Sequence, residues 1–328
     1  MASNSVLVRV PATVGNFGGA RECAALAFDA SLNVKVTPRV DGHVGIRYFG
    51  ENGERVPRDR SNLIVRALEA ALHLKGFEFT GGDFEIYSSV PVAVGLGSST
   101  AAVVAGLVAA DQLYHLGLDQ TTLFELAGVY EPRLENLRAA WLGGFVAGIE
   151  EGETLNYRRT FVPENLVLDV VVPEIVLADK PQSLPRNGRA GERIQSSHRA
   201  RELADFFASA GLPAQTGSAG IRLEAPLPPT SEKDVPGLAE ALEVRAPGLV
   251  SAFVCGSGPA VGIFSQGNTL EAVEAVRASF ARNGVRSAAL QFRPTNAGAA
   301  EWNSVRPDVS VPRLPGLAAR FPKQTLPV

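Results

Sequence analysis

A chain of 328 residues, 45% hydrophobic and 20% charged, is long enough to bury a substantial core and has the composition of a globular protein. Its net charge of −3, with no long Lys/Arg run, argues against nucleic acid or an anionic membrane as partner. Two cysteines far apart (Cys23, Cys255) and four scattered histidines (His43, His73, His115, His198) argue against a disulfide framework or a zinc site.

The start, MASNSVLVRV, has no basic or apolar leader region, and the expected setting is the reducing cytoplasm. Ser5 to Val10 alternates as a strand does. A glycine loop follows, carrying Asn16, Arg21 and Glu22 between Gly15 and the apolar run Ala24 to Phe28; it reads as a binding loop or as a plain turn. Asn33 to Thr37 and His43 to Phe49 are predicted strands joined by a turn at Asp41-Gly42. A helix is predicted over Asn62 to Lys75, with Asn62 as its N-cap or as a binding residue. Asp83 to Val90 is a predicted strand.

That strand leads into the stretch around which the chain is organised, Pro91 to Ala110, PVAVGLGSSTAAVVAGLVAA. Gly95 and Gly97 permit backbone angles closed to other residues. Ser98, Ser99 and Thr100 suit a helix start, and the alanines after them favour helix. A glycine loop feeding a buried helix leaves N–H groups and a partial positive charge for a phosphate. No Lys follows the glycines, so this is not a Walker P-loop. Thr100 stands where a dinucleotide fingerprint needs its third glycine. The bland alternative is a tight turn into a core helix.

Thr121 to Asn136 is a predicted helix, containing Glu131 and a proline at 132 that kinks or stops it. Strands are predicted at Leu142–Ile149, Leu166–Val172 and Ile175–Ala178, then a helix over Arg193–Ala210 carrying Arg199. Pro226 to Pro236 is irregular, and Leu238–Arg245 is a short helix. Val250 to Phe264 is a strand, a Gly256-Ser257-Gly258-Pro259 turn and another strand. A helix over Thr269–Asn283 and a strand over Ser287–Phe292 follow. From 303 the chain is a Pro/Arg-rich tail. Short turns between strands argue for α+β with antiparallel pairing.

Three of these stretches together resemble the motifs of the GHMP kinases. PVAVGLGSSTAA resembles their phosphate loop, VPATVGNFGGARECAALAFD their N-terminal motif and VCGSGPAVGIF their C-terminal glycine motif. Within that group the chain is most similar to the homoserine kinases. Their E-G-H-P-D-N is matched by Glu131, Pro132, Arg133, Leu134, Glu135 and Asn136, before Gly143-Gly144.

The resemblance implies a two-part fold: an N-terminal ribosomal-S5-like β-α-β half over 1–150 and a ferredoxin-like half over 151–302. It implies phosphoryl transfer from ATP with Mg²⁺ to a small hydroxylated acceptor, with homoserine first. Pro91, Gly95, Leu96, Gly97, Ser98, Ser99 and Thr100, with Asn62, would hold the nucleotide. Ser98 or Ser99 with Glu131 would hold Mg²⁺ through hard oxygens. Asn16, Glu22 and Arg199 would act at the reacting groups. Asn16, Glu22, Arg133, Asn136, Arg222, Gly256, Ser257 and Gly258 would line the acceptor side. A homodimer is an assembly common in the family, although no stripe here marks an interface.

Three departures bear on the acceptor. Glu22 replaces the family's Asp, Arg133 its His, and Glu224 stands where an arginine is usual, with Arg222 two positions away as a substitute. They leave open a different hydroxylated acceptor, or a catalytically silent relative that only binds a nucleotide or metabolite.

Overall fold

The computed structural model describes residues 5–151, 154–163, 166–175, 190–209, 235–265 and 269–303. Arg222, Glu224, the tail beyond 303 and most of the strand expected at Ile175–Ala178 lie outside the described residues.

The described chain builds two sheets. The first contains β1 (Val6–Gly15), β2 (Ala24–Pro38), β3 (Val44–Phe49), β4 (Gly82–Ser88), β5 (Phe145–Glu151) and β6 (Thr154–Thr160). Its order is β3-β4-β2-β5-β6, with β1 paired to β2. β3 and β4 are parallel and joined through α1 (Leu63–Leu74), which is the expected β-α-β unit. The second sheet runs β10-β7-β9-β8, formed by β7 (Val167–Pro173), β8 (Leu249–Val254), β9 (Val261–Ser265) and β10 (Ser287–Phe292). All its pairs are antiparallel. With α5 (Ala190–Ser209) after β7, the short α6 (Leu238–Leu242) before β8 and α7 (Leu270–Arg282) between β9 and β10, this is the ferredoxin-like half. The α+β expectation holds.

Local readings changed where context intervened. The apolar run at Ala24 and the strand at Asn33 are one long strand, β2. The turn at Asp41-Gly42 does not join a paired hairpin, because β4 pairs between β2 and β3. The helix expected over Thr121–Asn136 is two, α3 (Gln120–Tyr130) and α4 (Leu134–Leu142). Pro132 is the reason: it has no N–H to donate, and it pushes the residue before it out of helical geometry. Glu131 accordingly sits at φ −130°, ψ 101°. The polar sequence TLNYRRT hid β6, an edge strand, and this strand extends the first sheet to Thr160.

The helix of the central stretch is α2 (Ser98–Tyr114), buried from Thr100 to Ala110 except for Ala102. It packs against α1 closely enough that a Cβ on Gly106 would strike the carbonyl oxygen of Ile64. One core spans both halves, and Phe17 is its hub. Its ring lies 5.9 Å from Phe145 of β5, 4.8 Å from Phe253 of β8 and 5.3 Å from Phe264 of β9. Phe207 of α5 is 5.9 Å away. Such ring pairs contribute about 0.5–1.5 kcal/mol each beyond area burial. The hub belongs to the N-terminal glycine loop, so the two halves are clamped directly beside Asn16.

Candidate active site

The glycine loop ends as the sequence suggested, with one difference. Gly97, at φ 72°, is the N-cap of α2, and no side chain caps the helix. The hydroxyls of Ser98, Ser99 and Thr100 lie inside its first turn. The N–H groups of that turn are therefore left for a ligand.

Two approaches of backbone to backbone fix the loop. A Cβ on Gly97 would strike Thr13 of β1, and one on Gly95 would strike the carbonyl of Cys255. Both glycines have positive φ. The C-terminal glycine turn closes over the same place. The Gly256 N–H donates to the Gly15 carbonyl at 3.1 Å, and the Ala260 N–H to the Val94 carbonyl at 3.4 Å. Thus β1, the phosphate loop and the C-terminal turn meet at one point. Leu96 is buried beneath it, and Cys255 is a buried thiol pushed well above its ordinary range by desolvation, not a nucleophile.

Glu131 reaches this point because the Pro132 break ends α3 there. The residue is 2% exposed. Its two oxygens divide their partners. Oε2 accepts from Ser99 Oγ at 3.0 Å and Thr100 Oγ1 at 2.9 Å. Oε1 accepts from the Arg133 Nε at 2.9 Å and from the Arg133 backbone N–H at 3.2 Å. Arg133 Nη2 adds a longer bond to Oε2, 3.3 Å. Burial alone would raise the Glu131 carboxyl, but the Arg133 charge and the hydrogen bonds outweigh it and hold it below its ordinary value. Burial likewise disfavours the Arg133 charge, and Glu131 more than restores it. The pair is ionised.

These residues fit a divalent cation of the Mg²⁺ type. Glu131 Oε2 and the Ser99 hydroxyl are hard oxygens side by side at the helix N-terminus. Among the described residues no group of three or more His/Cys/Asp/Glu could form an all-protein cage. One carboxylate and a hydroxyl, with phosphate and water completing the shell, is the pattern Mg²⁺ takes with nucleotides. Ser98 is half-buried in the same turn.

On the other side of Arg133 lies the N-terminal loop. Asn16 and Glu22 both adopt left-handed backbone, φ 61° and 57°. Asn16 holds that loop together: its Oδ1 accepts from the Glu22 N–H at 3.3 Å, and its Nδ2 donates to the Gly256 carbonyl at 2.6 Å. Strained non-glycine positions of this kind cost about 1–3 kcal/mol and cluster at functional sites. Glu22 acts electrostatically on both Arg133 and Glu135. Arg199 of α5 reaches the same loop, donating to the Gly19 carbonyl at 3.4 Å. Asn136, 1% exposed, packs against Gly15, where a Cβ would come within 2.9 Å of its Oδ1.

Asn62 is fully used structurally. Its Oδ1 accepts from Ile64 N–H, capping α1, and its Nδ2 donates to the Pro57 carbonyl. Pro91 begins the loop after β4. Gly256, Ser257 and Gly258 form the closing turn.

Glu135 stands within the matched motif, with no role read from the sequence. It is 2% exposed, and its Oε1 has no hydrogen-bond partner among the described residues. Burial raises its pKa to about 7. It lies four positions after Glu131, in the first turn of α4, and that spacing was the available signal. Thr13, the floor under Gly97, has no role read from the sequence either; its Oγ1 is buried and unpartnered among the described residues.

Residues 62–144 match the family model described as GHMP kinases N terminal domain. A homoserine kinase of Moorella thermoacetica is 30% identical over 298 residues, covering 89% of this chain and 98% of its own length. One from Streptomyces avermitilis is 34% identical over 273 residues, covering 78% of this chain and 84% of its own. The crystal structure of a homoserine kinase from Cytophaga hutchinsonii shares the fold, with a TM-score of 0.65, 21% identity and coverage of 90% and 97%.

Proposed function

The chain belongs to the homoserine kinases of the GHMP kinase group, and on that basis we propose that it transfers the γ-phosphoryl group of ATP to the side-chain hydroxyl of homoserine. The observation that carries this reading is the convergence on Glu131: Ser99 and Thr100 from the first turn of α2 on Oε2, and Arg133 across both oxygens.

Phosphoryl transfer needs little covalent chemistry from the protein; it needs alignment and neutralised charge. The free N–H groups of the first turn of α2, with the backbone of Gly95, Leu96 and Gly97, bind the phosphates. Pro91 and the Asn62 cap place the loop and α1 around the nucleotide. Glu131 Oε2 and Ser99, with Ser98 beside them, would hold Mg²⁺. When bound, the ion neutralises charge on the phosphates. Asn16, held to Gly256, closes the cleft on the acceptor side. Glu22 presents a carboxylate to the acceptor's ammonium group, one methylene further out than the usual aspartate. Asn136, Gly256, Ser257 and Gly258 line the wall. Arg199 fixes the loop that carries Glu22. Arg222 is the candidate for the acceptor's carboxylate.

The test is homoserine-dependent ADP release with MgATP, with the product identified by phosphorus NMR. O-phosphohomoserine is the expected product. ATP binding without any phosphoryl transfer to homoserine would overturn the reading.

A further inference from the structure

Arg133 has one guanidinium nitrogen left over. Nε and Nη2 are spent on Glu131, and Nη1 has no hydrogen bond among the described residues. Nη1 lies beside Gly256, so close that a Cβ there would come within 3.2 Å of it. Gly256 in turn abuts Gly95: the same Cβ would meet the Gly95 carbonyl oxygen at 2.9 Å. Through Glu131 Oε2, the guanidinium also shares a single oxygen with Ser99 of the first turn of α2. The arginine side chain is 29% exposed, whereas that of Glu131 is 3% exposed. A cation anchored at its base therefore presents a free donor where the phosphate loop meets the Gly256 turn.

We propose that Arg133 is a catalytic arginine supplied by the chain itself, held by Glu131 and donating through Nη1 to the phosphoryl group in transfer. This inference rests on the phosphoryl-transfer reading above. In that step the acceptor oxygen forms its bond to phosphorus as the bond from phosphorus to the bridging oxygen of ADP breaks. The hydroxyl proton passes to an oxygen of the transferred group, and ADP leaves with the bond electrons. Negative charge spreads over the equatorial oxygens during transfer. A fixed guanidinium beside them stabilises that distribution more than it stabilises bound ATP. Glu131 thus serves both sides: Oε2 faces the hydroxyls, and Oε1 aims the arginine. A lysine cannot copy this, since it lacks the planar fork that bonds Glu131 and leaves a donor over.

The experiment compares wild type with Arg133→Gln, Arg133→Lys and Arg133→Ala, all checked for folding by thermal denaturation. Arginines in this role are worth about 10³–10⁵ in kcat. Arg133→Gln is expected to lose about 10³-fold in kcat with KM for homoserine little changed, and Arg133→Lys to recover little. Free guanidinium is expected to raise turnover by Arg133→Ala in a saturable way. ADP with aluminium fluoride, a mimic of the transferring group, is expected to bind wild type far more tightly than Arg133→Gln. Plain ADP is expected to bind both alike. If Arg133→Gln keeps kcat and only KM for homoserine rises, the residue serves the acceptor and the inference falls. Unchanged aluminium fluoride binding would overturn it as well. Wild type without homoserine-dependent transfer would instead overturn the underlying reading.

Discussion

The side-chain amide of Asn16 donates to the carbonyl of Gly256 at 2.6 Å, across 240 positions of sequence. This bond ties the left-handed turn at the end of β1 to the glycine turn between β8 and β9. Both ends of the chain thereby fix one wall of the cleft. Asn16→Ala removes that bond and the one to the Glu22 N–H. It is expected to cost about 1–2 kcal/mol of stability. The larger effect falls on catalysis: kcat/KM for homoserine drops at least tenfold while nucleotide affinity holds, as steady-state kinetics and calorimetric titration would register.

Glycine is required at 95 for two reasons, the positive φ of 93° and the carbonyl of Cys255 that occupies the place of a Cβ. Gly95→Ala is expected to abolish ATP binding. Gly117 also has positive φ, 63°, but nothing lies within 4 Å of its Cβ position. Gly117→Ala is expected to cost only about 1 kcal/mol of backbone strain and to bind ATP normally. Equal losses of ATP affinity in both variants would refute the loop geometry.

Glu135 makes stability depend on pH. Its ordinary value is 4.5, and burial raises it to about 7 in the folded protein. Below 4.5 both folded and unfolded chains hold the proton. Between 4.5 and 7 the unfolded chain releases it and the folded one keeps it, so this contribution to stability declines as pH rises. The full loss above pH 7 is about 3 kcal/mol. Glu135→Gln is expected to melt higher than wild type at pH 8, with the gap closing by pH 4.5. Parallel melting profiles would show that Glu135 is not the buried acid described.

Phe17→Ala removes the ring that joins four other phenylalanines. A cavity of that kind costs about 3–5 kcal/mol. Because Phe17 adjoins Asn16, turnover is expected to fall further than stability alone predicts, even at temperatures where the variant is fully folded by circular dichroism.

The fold was legible where signals were local. The glycine loop, the alanine-rich helix and the alternating strands all stand in the sequence, and the three glycine motifs point to one family. Many of the residues that meet at the candidate site stand in those motifs, Glu131 among them. Pairing was not legible. Nothing in Val44 to Phe49 says that its partner is β4 instead of β2, because that choice depends on the α1 crossover. Nor does the sequence reveal that Arg133, in the place of a family histidine, turns onto Glu131. That follows only once Pro132 breaks the helix and brings the carboxylate to the hydroxyls of α2. Glu135 was hidden for a similar reason: an acid on a short helix reads as solvated until its burial is known.

The most direct test of the account is the phosphoryl acceptor itself. ADP release with MgATP would be measured across hydroxylated acceptors, with homoserine and mevalonate included. Release is expected to depend on homoserine, to yield O-phosphohomoserine and to be lost in Glu131→Gln. Release driven by another acceptor and not by homoserine would contradict this reading, and would make Glu22 a determinant of that other specificity.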